Sequence, residues 1–242
     1  MNFENQTQHI KHKPDLNFGT IFSRSIELFK KVWLQGFIIL LLTFVVILPF
    51  YIVMYIPMIA MGLTDPEAFR HNELPPMVAI AMIILVPVIA IGITTFALAL
   101  NAAFLKICKQ KDLEEVAKDD YFYYFKEGRI GKVFILALYV FGLSILGALA
   151  CGVGMFYLMV PISLIPAFLS FSNDLSPSEI VKASFILGNK NWLVIFGLVL
   201  IMSIVAQLGF ILCCVGVLFT AMLGKVPIYY MYKDGVGFDE VI

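Results

Sequence analysis

The segment NDLSPSEIVKASFILGNKNW, residues 173–192, carries a helix start, an amphipathic middle and the entrance to a long apolar run. Ser176 stands at an N-cap position, Pro177 suits the first helical residue, and Glu179 follows the cap by three, completing a capping box. A start fixed in this way also fixes the faces. Ile180, Val181, Ala183, Ser184, Leu187 and Gly188 fall toward membrane or bundle, and Glu179, Lys182, Asn189 and Lys190 fall toward water. The spacing predicts a helix lying at a membrane surface and leading directly into a spanning segment at Trp192.

Two other stretches are built alike. Residues 16–33 (LNFGTIFSRSIELFKKVW) place Thr20, Ser23, Arg24, Glu27, Lys30 and Lys31 on a wet face. Phe18, Ile21, Phe22, Ser25, Leu28, Phe29 and Val32 lie opposite, with Asp15 or Asn17 as the cap. Residues 119–132 are a looser version. Each stretch precedes an apolar pair: 36–62 with 76–105, 131–149 with 153–171, and 192–212 with 215–232. Runs of this length cross a hydrocarbon core as helices, and they lack the short alternating pieces of a transmembrane barrel. The expected fold is all-α, a polytopic membrane bundle of six transmembrane helices arranged as three hairpins, each preceded by an amphipathic interfacial helix. The expected organisation is a polar N-terminal tail (1–15), one membrane domain (16–232, with hairpins 16–105, 119–172 and 176–232) and a cytoplasmic tail (233–242).

Composition agrees. Of 242 residues, 61% are hydrophobic and only 14% charged, too little polar surface to cover a soluble domain. Residues 1–15 lack the apolar core of a signal peptide, so the first apolar run reads as an anchor that is retained. Every Lys and Arg except Arg70 and Lys225 falls before the first span, between the second and third, between the fourth and fifth, or after the sixth. That bias puts both termini in the cytoplasm, an arrangement that requires an even number of crossings. No basic stripe stands clear of the membrane segments, so nucleic acid is not an expected partner.

The chain also repeats. Aligning Trp33 with Trp192 aligns Ile21 with Ile180, Ser25 with Ser184, Leu28 with Leu187 and Lys31 with Lys190. The turn Cys151-Gly152-Val153-Gly154 matches Cys213-Cys214-Val215-Gly216. Hairpins repeated in one orientation give a tandem or pseudo-threefold bundle, not the inverted repeat of many transporters.

Two motifs carry a family resemblance. The order Asp174, Ser176-Pro177-Ser178-Glu179-Ile180, Ala183-Ser184, Leu187, Asn189-Lys190-Asn191-Trp192 resembles the hallmark of a large group of bacterial six-span membrane proteins. That group is similar to the membrane domain fused to some glycerophosphodiester phosphodiesterases. Tyr124-Phe125-Lys126-Glu127-Gly128, and Pro227 in a Tyr-rich helix end, fit the same pattern. The resemblance covers nearly the whole chain and implies a stand-alone multi-pass protein of the bacterial inner membrane. The catalytic domain of the fused relatives has no counterpart here, so their activity does not follow.

Among single residues, Lys225 is the sharpest, because an ammonium in or near the sixth span is costly and often functional. Its stem can also snorkel toward the cytoplasmic interface, about two turns away at Lys233. Asn101, in the second span, is a partner for it or a packing hydrogen bond. Trp33, Trp192, Tyr121, Tyr123 and Tyr124 are the expected interfacial anchors, and the Lys- and Tyr-rich residues 106–132 read as an interfacial belt. Cys151 faces the same side as Cys213 and Cys214, where a disulfide or simple packing would serve. His9 and His12 lie across the bilayer from His71 and cannot join it in one metal centre, while Asp65, Glu67, His71 and Glu73 read as a solvated loop. No nucleophile elbow, P-loop or HExxH motif occurs. The reading is a non-enzymatic integral membrane protein with no catalytic residue, cofactor or metal. Its interfacial helices and bundle engage lipid or a partner membrane protein, a second copy of the chain included. The alternative is a small membrane transporter or channel component with Lys225 and Asn101 near its path.

Overall fold

The computed structural model describes residues 3–60, 76–115, 117–126, 128–150, 152–209 and 216–238. The expectations for the 63–75 loop with its acids and His71, and for Cys151, Cys213 and Cys214, concern residues outside this set. Among the described residues all regular structure is helical. The helices are α1 (Phe3–His12), α2 (Phe18–Ala60), α3 (Pro76–Asp112), α4 (Ile130–Leu149), α5 (Val153–Phe171), α6 (Pro177–Lys190), α7 (Trp192–Leu208), α8 (Gly216–Thr220) and α9 (Val226–Gly235). Two 3-10 turns, Tyr123–Phe125 and Ala221–Lys225, join them.

Helices α2, α3, α4 and α5 are long and apolar enough to cross a membrane, and α6 with α7, bent by 93° at Asn191, makes a fifth if the pair is one span. Large apolar side chains stand exposed on every one of these helices but α6, among them Val45, Ile83, Leu146, Phe156 and Leu193. Such a surface suits hydrocarbon rather than water. The protein is a multi-pass, membrane-embedded helical protein.

α6 forms where the sequence places it. The Ser176 hydroxyl accepts from the Glu179 N–H (3.4 Å), and the Ser176 N–H donates to Glu179 Oε2 (2.8 Å). These bonds satisfy donors that a bare helix start would leave orphaned, and the hydrogen bonds from Ser176 hold the Glu179 carboxyl below its usual range. Ile180, Ala183, Ser184, Leu187 and Gly188 are buried, as expected. Of the two coverings expected, membrane or bundle, they take the bundle. α6 turns back along α5: a Cβ on Gly188 would stand 3.4 Å from the Pro161 Cα, and Tyr157 donates to Asn189 Oδ1 (2.7 Å). The apolar face meets protein, not lipid.

Residues 16–33 do depart from expectation. They do not form a separate interfacial helix; α2 runs unbroken for 43 residues, about 64 Å. No Gly, Pro or Asn interrupts the stretch between Thr20 and Gln35, so nothing halts the helix. The second copy bends because Asn191 stands where α2 has Val32. The Asn191 backbone closes α6 by donating to Leu187 O (3.2 Å), and its side chain accepts the Leu16 N–H (2.9 Å). The buried face of α2, with Ile21, Ser25, Leu28 and Val32, matches the expected stripe. Its partner is the third hairpin: a Cβ on Gly197 would lie 3.4 Å from the Phe18 ring, and one on Gly36 2.9 Å from the Met222 Cβ. α3 pairs instead with the later half of α2, where Phe50 packs against Phe96 at 5.9 Å between centroids.

Three further differences follow from local chemistry. Among the described residues of 119–132 there is no α-helix before Ile130, only the 3-10 turn at Tyr123–Phe125. Aromatic rings are mediocre helix formers, and here they leave the backbone to pack inward, Phe125 stacking on Phe96 (5.3 Å) and the buried Tyr124 donating to Leu169 O (3.2 Å). The 216–235 segment is not one span-length helix but α8, a 3-10 turn and α9. The polar N-terminal stretch forms α1, and the expected water-facing Lys190 caps its C-terminal end. The Lys190 ammonium donates to Ile10 O (2.9 Å), Lys11 O (3.3 Å) and Lys13 O.

Candidate functional site

The functional candidates gather where the spanning helices end in charged residues. Read as a span, α3 ends near Leu105, and its remaining two turns project beyond the apolar layer to Asp112. Asp112 is a hub. Its carboxylate accepts from the Tyr229 hydroxyl (2.7 Å), the Tyr230 hydroxyl (2.7 Å) and the Lys233 ammonium (2.5 Å), all carried by α9. Burial pushes the Asp112 carboxyl up, but the bonds from Lys233, Tyr230 and Tyr229 outweigh it and hold the group below its usual range. Beside it, the Arg24 guanidinium lies 4.1 Å from the centre of the Tyr230 ring and bonds both oxygens of Asp234 (3.0 and 3.1 Å). The network ties α2, α3 and α9 together. A second knot ties in α1: Gln6 Nε2 donates to Ser172 Oγ (2.7 Å) and to the Tyr232 hydroxyl (3.1 Å), all three residues being buried. Both knots join separate elements of the fold and act as fasteners.

A different arrangement begins on α3 at Lys106 and Lys109, within two turns before Asp112. Two adjoining clefts share Asn173. One, of about 330 Å³, is lined by Tyr123, Tyr124, Arg129, Lys132 and Leu169. The other, of about 320 Å³, is lined by Lys106, Lys109, Gln110, Glu115, Ser170, Phe171 and Phe238. The Tyr123 ring of the first cleft carries the Lys106 ammonium of the second 3.3 Å from its centre and the Arg129 guanidinium 4.2 Å from it. Lys109 lies 4.4 Å from the centre of the Phe238 ring. Among the described residues, neither Lys106 nor Lys109 has a carboxylate partner or a hydrogen bond. Lys132 donates to Asn173 O (3.0 Å). Aromatic faces hold cations without neutralising them, and among the described residues Glu115 is the one carboxylate that lines the cleft of Lys106 and Lys109.

The sequence candidates fall apart in space. Asn101 donates to Ala97 O of its own helix (2.8 Å) and has no bond to Lys225. Lys225 is exposed and, among the described residues, unpaired. Met222 beside Gly36 and Asp234 beside Arg24 bracket it on α2, which puts Lys225 at the height of Lys31 and Trp33, in the basic collar. Trp33 is 44% exposed and lies against Phe219 (6.0 Å). Trp192 stacks on Phe196 (4.9 Å) and donates to Tyr157 O (3.3 Å). Tyr121 is half-buried, Tyr123 lines the first cleft, and Tyr124 is buried in protein. Sequence reasoning flagged the basic and aromatic residues 106–132 as a belt. Their convergence on Asn173 was invisible to it, because α5 supplies the floor. Asp112 and Tyr229 carried no signal beyond their types. Compared with known proteins, the chain has no matching family model, no matching curated protein and no matching solved structure.

Proposed function

We propose that this is a non-enzymatic protein of a bacterial cytoplasmic membrane that engages anionic lipid through the cytoplasmic foot of its helical bundle. The observation that carries the reading is the pair Lys106 and Lys109, held over aromatic rings with no carboxylate partner among the described residues. Cations left unneutralised at the end of spanning helices attract the negative cytoplasmic leaflet. We further infer six crossings in three hairpins with both termini cytoplasmic. The charge bias supports this, since an odd number of crossings would strand Lys233 on the side of Arg70. The third hairpin is then seated beside the charged half of α2, and the 3-10 turn at Ala221–Lys225 lengthens its return leg per residue. The resemblance to bacterial six-span proteins belongs to the same proposal.

The test is thermal unfolding in nanodiscs. The protein melts at a higher temperature in phosphatidylglycerol than in phosphatidylcholine, and the difference shrinks as salt is added. Equal melting in the two lipids contradicts the reading.

A further inference from the structure

Building on that reading, we propose a specific phospholipid site, with the phosphate in the Tyr123–Lys132 cleft and the acyl chains along α4. The head end is the two-chambered cleft already described. Arg129 and Lys132 line this cleft with Tyr123, and Lys106 stands in the adjoining chamber 3.3 Å from the centre of the same ring, so a phosphodiester beside the ring meets two cations directly and the field of a third. Glu115 lines the second chamber, and Asp174 lies near enough to act on Lys132; basic groups still outnumber acidic ones among the described lining residues. Gln110 adds a second requirement. Its side-chain oxygen is buried with no hydrogen-bond partner among the described residues, and it lines the chamber of Lys106 and Lys109. A buried acceptor of this kind calls for a donor, and a headgroup hydroxyl beyond the phosphate supplies one.

The tail end distinguishes a lipid from a free phosphate. Ile135, Leu138, Tyr139, Gly142, Leu143 and Leu146 line an apolar groove on α4. Ile135 stands three residues after Lys132, one turn along the same face. From Ile135 to Leu146 the groove runs about 16 Å, close to the roughly 15 Å hydrocarbon depth of one leaflet. Gly142 leaves the middle of the groove open, with nothing within 4 Å of where its Cβ would stand. Head cleft and groove thus follow one another at the spacing of a phospholipid, polar group at the water side and chains below. The occupant is an anionic phospholipid whose headgroup carries hydroxyls.

Native mass spectrometry of the detergent-solubilised full chain tests this, with phosphatidylglycerol, phosphatidylcholine and inorganic phosphate as probes. Wild type retains phosphatidylglycerol in preference to phosphatidylcholine, and the Lys106→Gln/Lys132→Gln variant binds it about tenfold more weakly or worse. The control Lys30→Gln/Lys182→Gln removes the same charge from two exposed positions and keeps wild-type retention. A groove variant, Gly142→Phe, fills the tail path with the cations intact and also loses the lipid. Inorganic phosphate does not compete. If the cleft variant and the control lose lipid equally, attraction is diffuse and the site is wrong, while the broader reading survives. If phosphate competes and Gly142→Phe binds normally, the cleft takes free phosphate and the lipid assignment is overturned. If wild type shows no preference for phosphatidylglycerol, the broader reading fails as well.

Discussion

Replacing Asp112 with Ala destabilises the folded protein by about 2–3 kcal/mol. The substitution leaves Lys233 and the hydroxyls of Tyr229 and Tyr230 without their common acceptor. The Asp112 and Lys233 side chains are only 17% and 27% exposed, so water replaces the lost bonds poorly. Asp112→Asn keeps an acceptor but not the charge and costs less. The pH dependence has a definite sign. A carboxyl held below its usual range stabilises the fold at pH values above the unfolded-state value, near 3.9, and loses that contribution as pH falls through the folded-state value. Thermal midpoints in detergent at pH 7 and in acid read both effects. An Asp112→Ala midpoint equal to that of wild type removes the fastening role assigned to this network.

Gly154→Val disrupts the hairpin of α4 and α5 and costs about 3 kcal/mol. At Gly154 a Cβ would stand 2.9 Å from the Ala150 Cβ and 3.1 Å from both the Cα and the carbonyl oxygen of Gly147. Most of these neighbours are backbone and cannot swing aside, so the helices must part. Gly142→Ala, on α4, is the contrast. Open space surrounds that position, and exchanging Gly for Ala in a helix is favourable by roughly 1 kcal/mol. Gly142→Ala therefore melts at or above the wild-type temperature, and Gly154→Val well below it. Equal melting of the two variants would mean that α4 and α5 do not meet as described.

Local signals carried much of the fold. The capping box at Ser176 and Glu179, the buried stripe of α6 and the stripe at Ile21, Ser25, Leu28 and Val32 were all readable, because periodicity depends on near neighbours in sequence. What each stripe packs against was not. An apolar face suits lipid and protein equally, and only tertiary contacts chose protein for both helices. The repeat of Trp33 and Trp192 concealed a difference, since Asn191 ends a helix where Val32 continues one. The aromatic run at Tyr121–Phe125 looked like a helix at the surface, yet its rings gain more by burial than its backbone gains by coiling. Of the candidate site, the cations and Tyr123 were legible as a belt. Asn173 and Ser170 were not, because they arrive at and just after the end of α5, across the length of the α4–α5 hairpin.

The orientation of the charged segments is tested most directly by cysteine labelling in intact cells, in a background lacking the four native cysteines. Lys118→Cys and Asp174→Cys resist a membrane-impermeant maleimide until the membrane is opened, and Glu67→Cys reacts from outside. If the positions at 67 and 118 label from the same side, the basic foot does not face the cytoplasm and the account of this protein is contradicted.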